Sequence, residues 1–125
     1  MALQRLSLTR GNSDNYTLTL KHADGTPYNI KNWVVYFTLK TNRDLSDYQA
    51  SLQKIVTTFD DTTSGTSGSA NIPILPSDTI NLTPMQYDFD IKVCTDANEN
   101  YTVLKGVLDL EYEVTKTTGT AGTAP

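Results

Sequence analysis

Tyr87, Phe89, Ile91 and Val93 take every second place of a stretch whose other places hold Asp88, Asp90 and Lys92. Strict alternation of this kind puts one side of an extended chain in a core and the other in water, as in an antiparallel sheet. The polar segment Asp96-Ala97-Asn98-Glu99-Asn100 then turns the chain. Beyond it Leu104, Leu108, Leu110, Tyr112 and Val114 alternate with Asp109, Glu111 and Glu113. The two stretches predict a hairpin of two long strands, with Tyr87, Tyr112 and Val114 on the buried phase. Such a pattern identifies a kind of object, not a reaction.

The rest of the chain reads as shorter strands between turns. Leu3 to Thr9 is a first strand with Leu6 and Leu8 on one face. The cluster Arg10-Gly11-Asn12-Ser13-Asp14 turns it into a second, where Tyr16, Leu18 and Leu20 alternate with Thr17 and Thr19. Asp24-Gly25 marks the next turn. Trp33, Val35, Phe37 and Leu39 alternate with Val34, Tyr36 and Thr38, and because both phases are largely apolar this third strand is expected at the centre of a sheet. Residues 44–50 read as a helical turn capped by Ser46 or Asp44. Leu52 to Phe59 is a fourth strand. Ala70 to Leu75, with Pro73, is a fifth at an edge or bulge. Residues 76–82 predict one helical turn capped by Ser77 that bridges two sheets. Seven strands at short intervals predict an all-β, immunoglobulin-like antiparallel β-sandwich over residues 1–116.

Composition narrows the function. The length of 125 residues suits one domain with a core that needs no staples. Its polarity comes from Thr, Ser, Asn and Asp, which favour strands and turns, not from charge runs. A net charge of −4 with no Lys or Arg cluster argues against nucleic acid. The single Cys94 excludes an internal disulfide and a Cys-based zinc site. The longest apolar run, residues 33–37, is far too short for a membrane span, and no apolar leader is evident near Met1. The expectation is a soluble protein made in a cytoplasm. Residues 117–125 form a low-complexity tail that builds no core.

The order of motifs resembles the immunoglobulin-like N-terminal domain of phage baseplate upper proteins and related tailed-phage virion proteins. The resemblance lies in Arg10-Gly11-Asn12-Ser13-Asp14 opening an alternating strand, in Asp24-Gly25-Thr26-Pro27, and in the strand from Trp33 to Lys40. It continues in Gln53-Lys54, in Ile74-Leu75-Pro76-Ser77-Asp78-Thr79, in the strand from Gln86 to Val93, and in Gly106-Val107-Leu108. It covers roughly residues 5–115. It departs at Pro84-Met85-Gln86, where the family usually has Gly before its Tyr strand. It implies a virion part without catalytic residues.

Candidate chemistry is sparse. His22 lies beside Asp24 in a turn, and no nucleophile is placed to join them. Asp96, Asn98 and Asn100 have the spacing of early calcium ligands, yet the Gly and Glu that such a loop needs are Tyr101 and Val107. Asp60 and Asp61, at a strand end beside a loop, read as solvated, with calcium binding by paired acids at a sandwich tip as the alternative. Asp88 and Asp90 on a flat face lack the cleft that paired-acid chemistry requires. Cys94 is either a weakly reactive thiol or a packed small residue. Trp33 reads as the core tryptophan, with an interface or sugar-stacking role as the alternative, and Tyr28, Tyr36, Tyr48 and Tyr101 as candidate contact residues.

The sequence therefore predicts a non-enzymatic structural component of a tailed-phage virion, in tail, baseplate or capsid, with no cofactor and no metal. Its partners would be other phage structural proteins and copies of itself in a symmetric assembly, not nucleic acid or membrane. Terminal segments can add a strand to a neighbour or wrap it. The contact residues are accordingly Met1, Ala2, Leu3, Gln4 and Arg5, with Thr117, Thr118, Gly119, Thr120, Ala121, Gly122, Thr123, Ala124 and Pro125. The alternative is a carbohydrate-binding module for host surface sugar.

Overall fold

The computed structural model describes residues 3–57 and 68–114. Within them the alternating stretches become strands: β1 (Leu3–Thr9), β2 (Asp14–Thr19), β3 (Val34–Lys40), β4 (Leu52–Val56), β5 (Ser69–Ile74), β6 (Gln86–Cys94) and β7 (Asn100–Glu111). One helical turn, α1 (Pro76–Thr79), and a 3-10 turn at Asp47–Gln49 complete them. Five strands form one sheet in the order β1-β7-β6-β3-β4, and β2 pairs with β5 in a second.

The sheets meet over one core. Tyr87, Phe89, Ile91 and Val93 of β6 are buried, as their alternation requires, with Val35, Phe37 and Leu39 of β3 beside them. The second sheet contributes Ala70, Ile72 and Ile74. Tyr16 of β2 tilts against Phe37 at 5.6 Å, and Phe37 against Phe89 at 5.9 Å, the separations that favour aromatic pairs. β3 is an interior strand, between β6 and the edge strand β4, and β6 holds the middle of the sheet. Trp33 precedes β3 and packs half-buried at the rim of the core, 6.0 Å from Tyr28, instead of at its centre.

Four expectations need correction. The large sheet is mixed, not antiparallel, because β1 runs parallel to β7 with Leu6 beside Leu108 and Leu8 beside Leu110. Alternation fixes which face a side chain takes, and a strand of either direction satisfies it. Tyr112 and Val114 are 72% and 100% exposed, whereas Glu113 is buried. The ladder ends at Glu111, whose carbonyl accepts from Arg10 N–H. Past that point Arg10 draws Glu113 inward with a 3.0 Å ion pair, and the phase inverts. The helical turn is capped by Leu75, not Ser77. Pro76 has the fixed φ and missing N–H that suit a first helical position, and Asp78 accepts from Leu75 N–H at 2.7 Å. Lastly, β4 ends at Val56, and residues 58–59 of the expected fourth strand lie outside the described residues.

Polar contacts tie the connections to this frame. Thr79, fully buried, accepts from Gly11 N–H at 2.9 Å and holds the β1–β2 turn against α1. Lys54 of β4 reaches Asp78 at 2.9 Å. The Tyr87 hydroxyl, near the start of β6, donates to the Thr83 carbonyl at 2.6 Å.

Candidate functional site

The outer face of the large sheet carries a set of paired polar side chains. Across neighbouring strands Thr38 faces Asp90, and Asp90 faces Lys105. In the next row Tyr36 faces Lys92, and Lys92 faces Thr102. A bulge between Ile91 and Lys92 skips Val103, which keeps Thr102 on this outer face although the simple alternation of β7 would turn it inward.

The face is not flat, because the β3–β4 connection folds over it. Lys40 Nζ donates to the Leu45 carbonyl at 2.7 Å and to Asp47 at 3.0 Å. Asp88 accepts from Arg43 N–H at 3.2 Å. Ser46 and Gln49 brace the 3-10 turn, with Gln49 Oε1 accepting from Ser46 Oγ at 3.0 Å. The result is an open cleft of about 750 Å³ floored by β3, β6 and β7 and walled by Arg43 and Asp47.

Charge in the cleft is mixed. Lys40, Arg43, Lys92 and Lys105 line it together with Asp47, Asp88 and Asp90. Two of the acids are pushed in opposite directions. Burial raises the Asp90 pKa, against the pull of Lys92 and Lys40. The hydrogen bond and charge of Lys40 lower that of Asp47. Sequence reasoning assigned no site role to Lys40, Arg43, Asp47 or Gln53, although Lys40 and Gln53 lie in motifs of the resemblance. The one visible signal was the outward phase of β3, with Tyr36, Thr38 and Lys40, paired with the charged phase of β6.

The residues singled out from sequence are dispersed. Leu3, Gln4 and Arg5 belong to β1, where they pair with Lys105, Gly106 and Val107. Gln4 reaches the edge of the cleft, and Arg5 binds Asp109 at 2.8 Å on an exposed surface. Met1, Ala2 and the tail from Thr117 to Pro125 lie outside the described residues, as do Asp60 and Asp61. The His22 ring stacks on Tyr28 at 3.8 Å. Asp24 instead closes its own turn, accepting from the Thr26 hydroxyl at 2.7 Å and from its N–H at 3.0 Å. Those bonds lower its pKa. In the β6–β7 turn Asn98 has φ 64°, and the Thr95 hydroxyl accepts from the N–H groups of Ala97 and Glu99, as a hairpin connection requires. Cys94 is half-buried with its sulfur 3.7 Å from the Thr95 carbonyl. Of the tyrosines, Tyr48 and Tyr101 are exposed, Tyr28 packs on His22, and Tyr36 lies in the cleft.

The chain matches no protein-family model and no curated protein sequence.

Proposed function

We propose that this chain is an immunoglobulin-like, non-enzymatic structural module of a tailed-phage virion that assembles through its chain ends and sheet edges. Its strand arrangement supports the immunoglobulin-like part. What supports it is a β7-β6-β3-β4 sheet facing a β2-β5 pair across one core, the two-layer arrangement of a sandwich, to which the parallel β1 is added at the edge. The bond from Tyr87 to Thr83, four residues upstream at the start of β6, has the form of the tyrosine corner of that architecture. The virion setting rests on the motif resemblance. Arg10-Gly11, Asp24-Gly25 and Leu75 to Thr79 fall at three connections of the fold, with Gly11 at φ 79° and Gly25 at φ 91°.

The observation that carries the assembly reading is the exit of the chain from β7. Tyr112 and Val114 stand in solvent there, 72% and 100% exposed, just before the low-complexity segment. The Tyr112 ring carries the Arg10 guanidinium 5.8 Å over its face, and with Val114 it offers an apolar spot at the strand exit that a partner could cover. Parallel pairing of β1 with β7 also puts Leu3 and Glu111 at opposite ends of the paired stretch, about 20 Å apart across its seven residues. That polarity suits head-to-tail contact between subunits.

Light scattering on the full chain at rising concentration tests this. A symmetric oligomer is expected, and a Tyr112→Ser, Val114→Ser variant should shift to monomer with an unchanged circular dichroism spectrum. A full chain that stays monomeric up to about 1 mM, where even weak contacts register, would refute self-assembly.

A further inference from the structure

The cleft on the large sheet is built more elaborately than a solvated face needs. Three polar contacts from Lys40 and Asp88 hold the β3–β4 connection over it. Its volume of about 750 Å³ is that of a small-molecule site. Its charge is nearly balanced, with four cations (Lys40, Arg43, Lys92, Lys105) against three acids (Asp47, Asp88, Asp90). Lys40 and Asp47 are further committed to each other at 3.0 Å. A balanced site has no strong field of one sign and gives no advantage to a highly charged ligand.

What remains is a grid of donors and acceptors. Strands sit about 4.8 Å apart, so Thr38, Asp90 and Lys105 form one row and Tyr36, Lys92 and Thr102 the next. Asp90 is half-buried and feels Lys92 and Lys40 only through space, with no hydrogen-bond donor among the described residues. Its oxygens are not among the buried unpartnered atoms, so they stay open to the cleft and can accept from a ligand that brings hydroxyls. Beside it the Tyr36 ring offers an apolar surface with a polar tip. A polyhydroxylated ring has both properties, hydroxyls at its rim and a C–H face.

The geometry points to a saccharide site: the cleft takes a neutral oligosaccharide, one ring lying against Tyr36 while its hydroxyls donate to Asp90 and accept from Lys92. Tyr112 and Val114 do not line the cleft, and of the proposed assembly residues in β1 only Gln4 reaches its edge, so the sugar titration and the assembly test read different residues.

The test is an NMR titration of the full chain, labelled with nitrogen-15, against maltotriose, mannotriose, lactose and triacetylchitotriose, with sialyllactose as an anionic comparison. A neutral sugar should give saturable shifts concentrated on residues 36–40 and 88–92, with a Kd of about 1 mM or tighter. Asp90→Asn should weaken that sugar about tenfold, as loss of a hydrogen bond to a charged group does. Tyr36→Ala should weaken it too, and Asp90→Asn alone suffices if the Tyr36 variant fails to fold. The saccharide site is overturned if no neutral sugar gives saturable shifts up to about 50 mM. It is also overturned if sialyllactose alone binds. Dilution shifts on residues 36–40 and 88–92 without sugar would overturn it as well, since a second copy would then fill the cleft.

Discussion

Two aspartates of one cleft illustrate how position sets the sign of a charge's effect on stability. Asp90 sits half-buried on β6, and desolvation raises its pKa above the unfolded value. The folded chain therefore holds that proton more readily than the unfolded one. The favourable contribution is fully present below the unfolded value of about 3.9 and is lost as pH rises through the folded value. Asp47 behaves oppositely. The Lys40 ammonium lowers its pKa, so its contribution is present above the unfolded value and lost as pH falls through the folded one. Asp90→Asn should thus raise the urea midpoint at pH 7 relative to the parent, with the gain shrinking toward pH 3. Asp47→Asn should lower the midpoint at pH 7, by a small amount because the carboxylate is 73% exposed and screened. Midpoints that move in the same direction for both variants at pH 7 would contradict this account. Asp90 would also bind sugar less well as its asparagine variant, so stability and affinity should move in opposite directions at that position.

The parallel attachment of β1 hinges on one glycine. A Cβ on Gly106 would run into the backbone of Gln4, because β1 passes β7 there with no room for a side chain. Gly106→Ala should cost about 1–3 kcal/mol as overpacking does. The damage should be local, with faster amide exchange in β1 than in β6. Unchanged protection across β1 in a variant of parental stability would show that the strand does not need this close approach. The glycine was visible in the sequence, but its reason was not, since nothing local reveals which distant strand lies over it. The same division runs through the fold. The phases of β3 and β6 were legible because alternation reports burial directly, and Val35, Phe37, Leu39, Tyr87, Phe89, Ile91 and Val93 are all buried. The inversion at Glu113 was not, because it depends on Arg10, 103 residues earlier. The start of α1 was missed in favour of Ser77, since Pro76 and the Asp78 bond to Leu75 N–H together outweigh a serine's preference for the cap. The cleft was illegible for a related reason. Asp88 and Asp90 do lie on an outward sheet face as expected, but the wall that gives that face depth comes from the Lys40 to Asp47 connection, which local pattern reads only as a turn.

Neither sheet is self-sufficient. β2 and β5 form a two-stranded sheet, which is marginal in water when alone. Asp14 pairs with Ile74, sixty residues away, so closing that pair costs loop entropy that its own ladder does little to offset. The offset comes from the shared core, where Ile72 and Ile74 face the buried side of β3 and β6. The bonds of Thr79 to Gly11 and Lys54 to Asp78 bind the two layers at one end. The described residues should consequently unfold in one step. Ile72 is completely buried, and Ile72→Ala should cost about 2–5 kcal/mol. That is a large part of the roughly 5–15 kcal/mol typical of a domain. The loss should appear equally in Trp33 fluorescence, which reports the entry to β3, and in far-ultraviolet circular dichroism, which reports both sheets. Coincident transitions in parent and variant are expected, with the variant's midpoint lower and its slope unchanged. An early phase in which β2 and β5 lose exchange protection while Trp33 stays native would mean that the core is divided. The small sheet would then be a detachable flap on an independently stable five-stranded sheet.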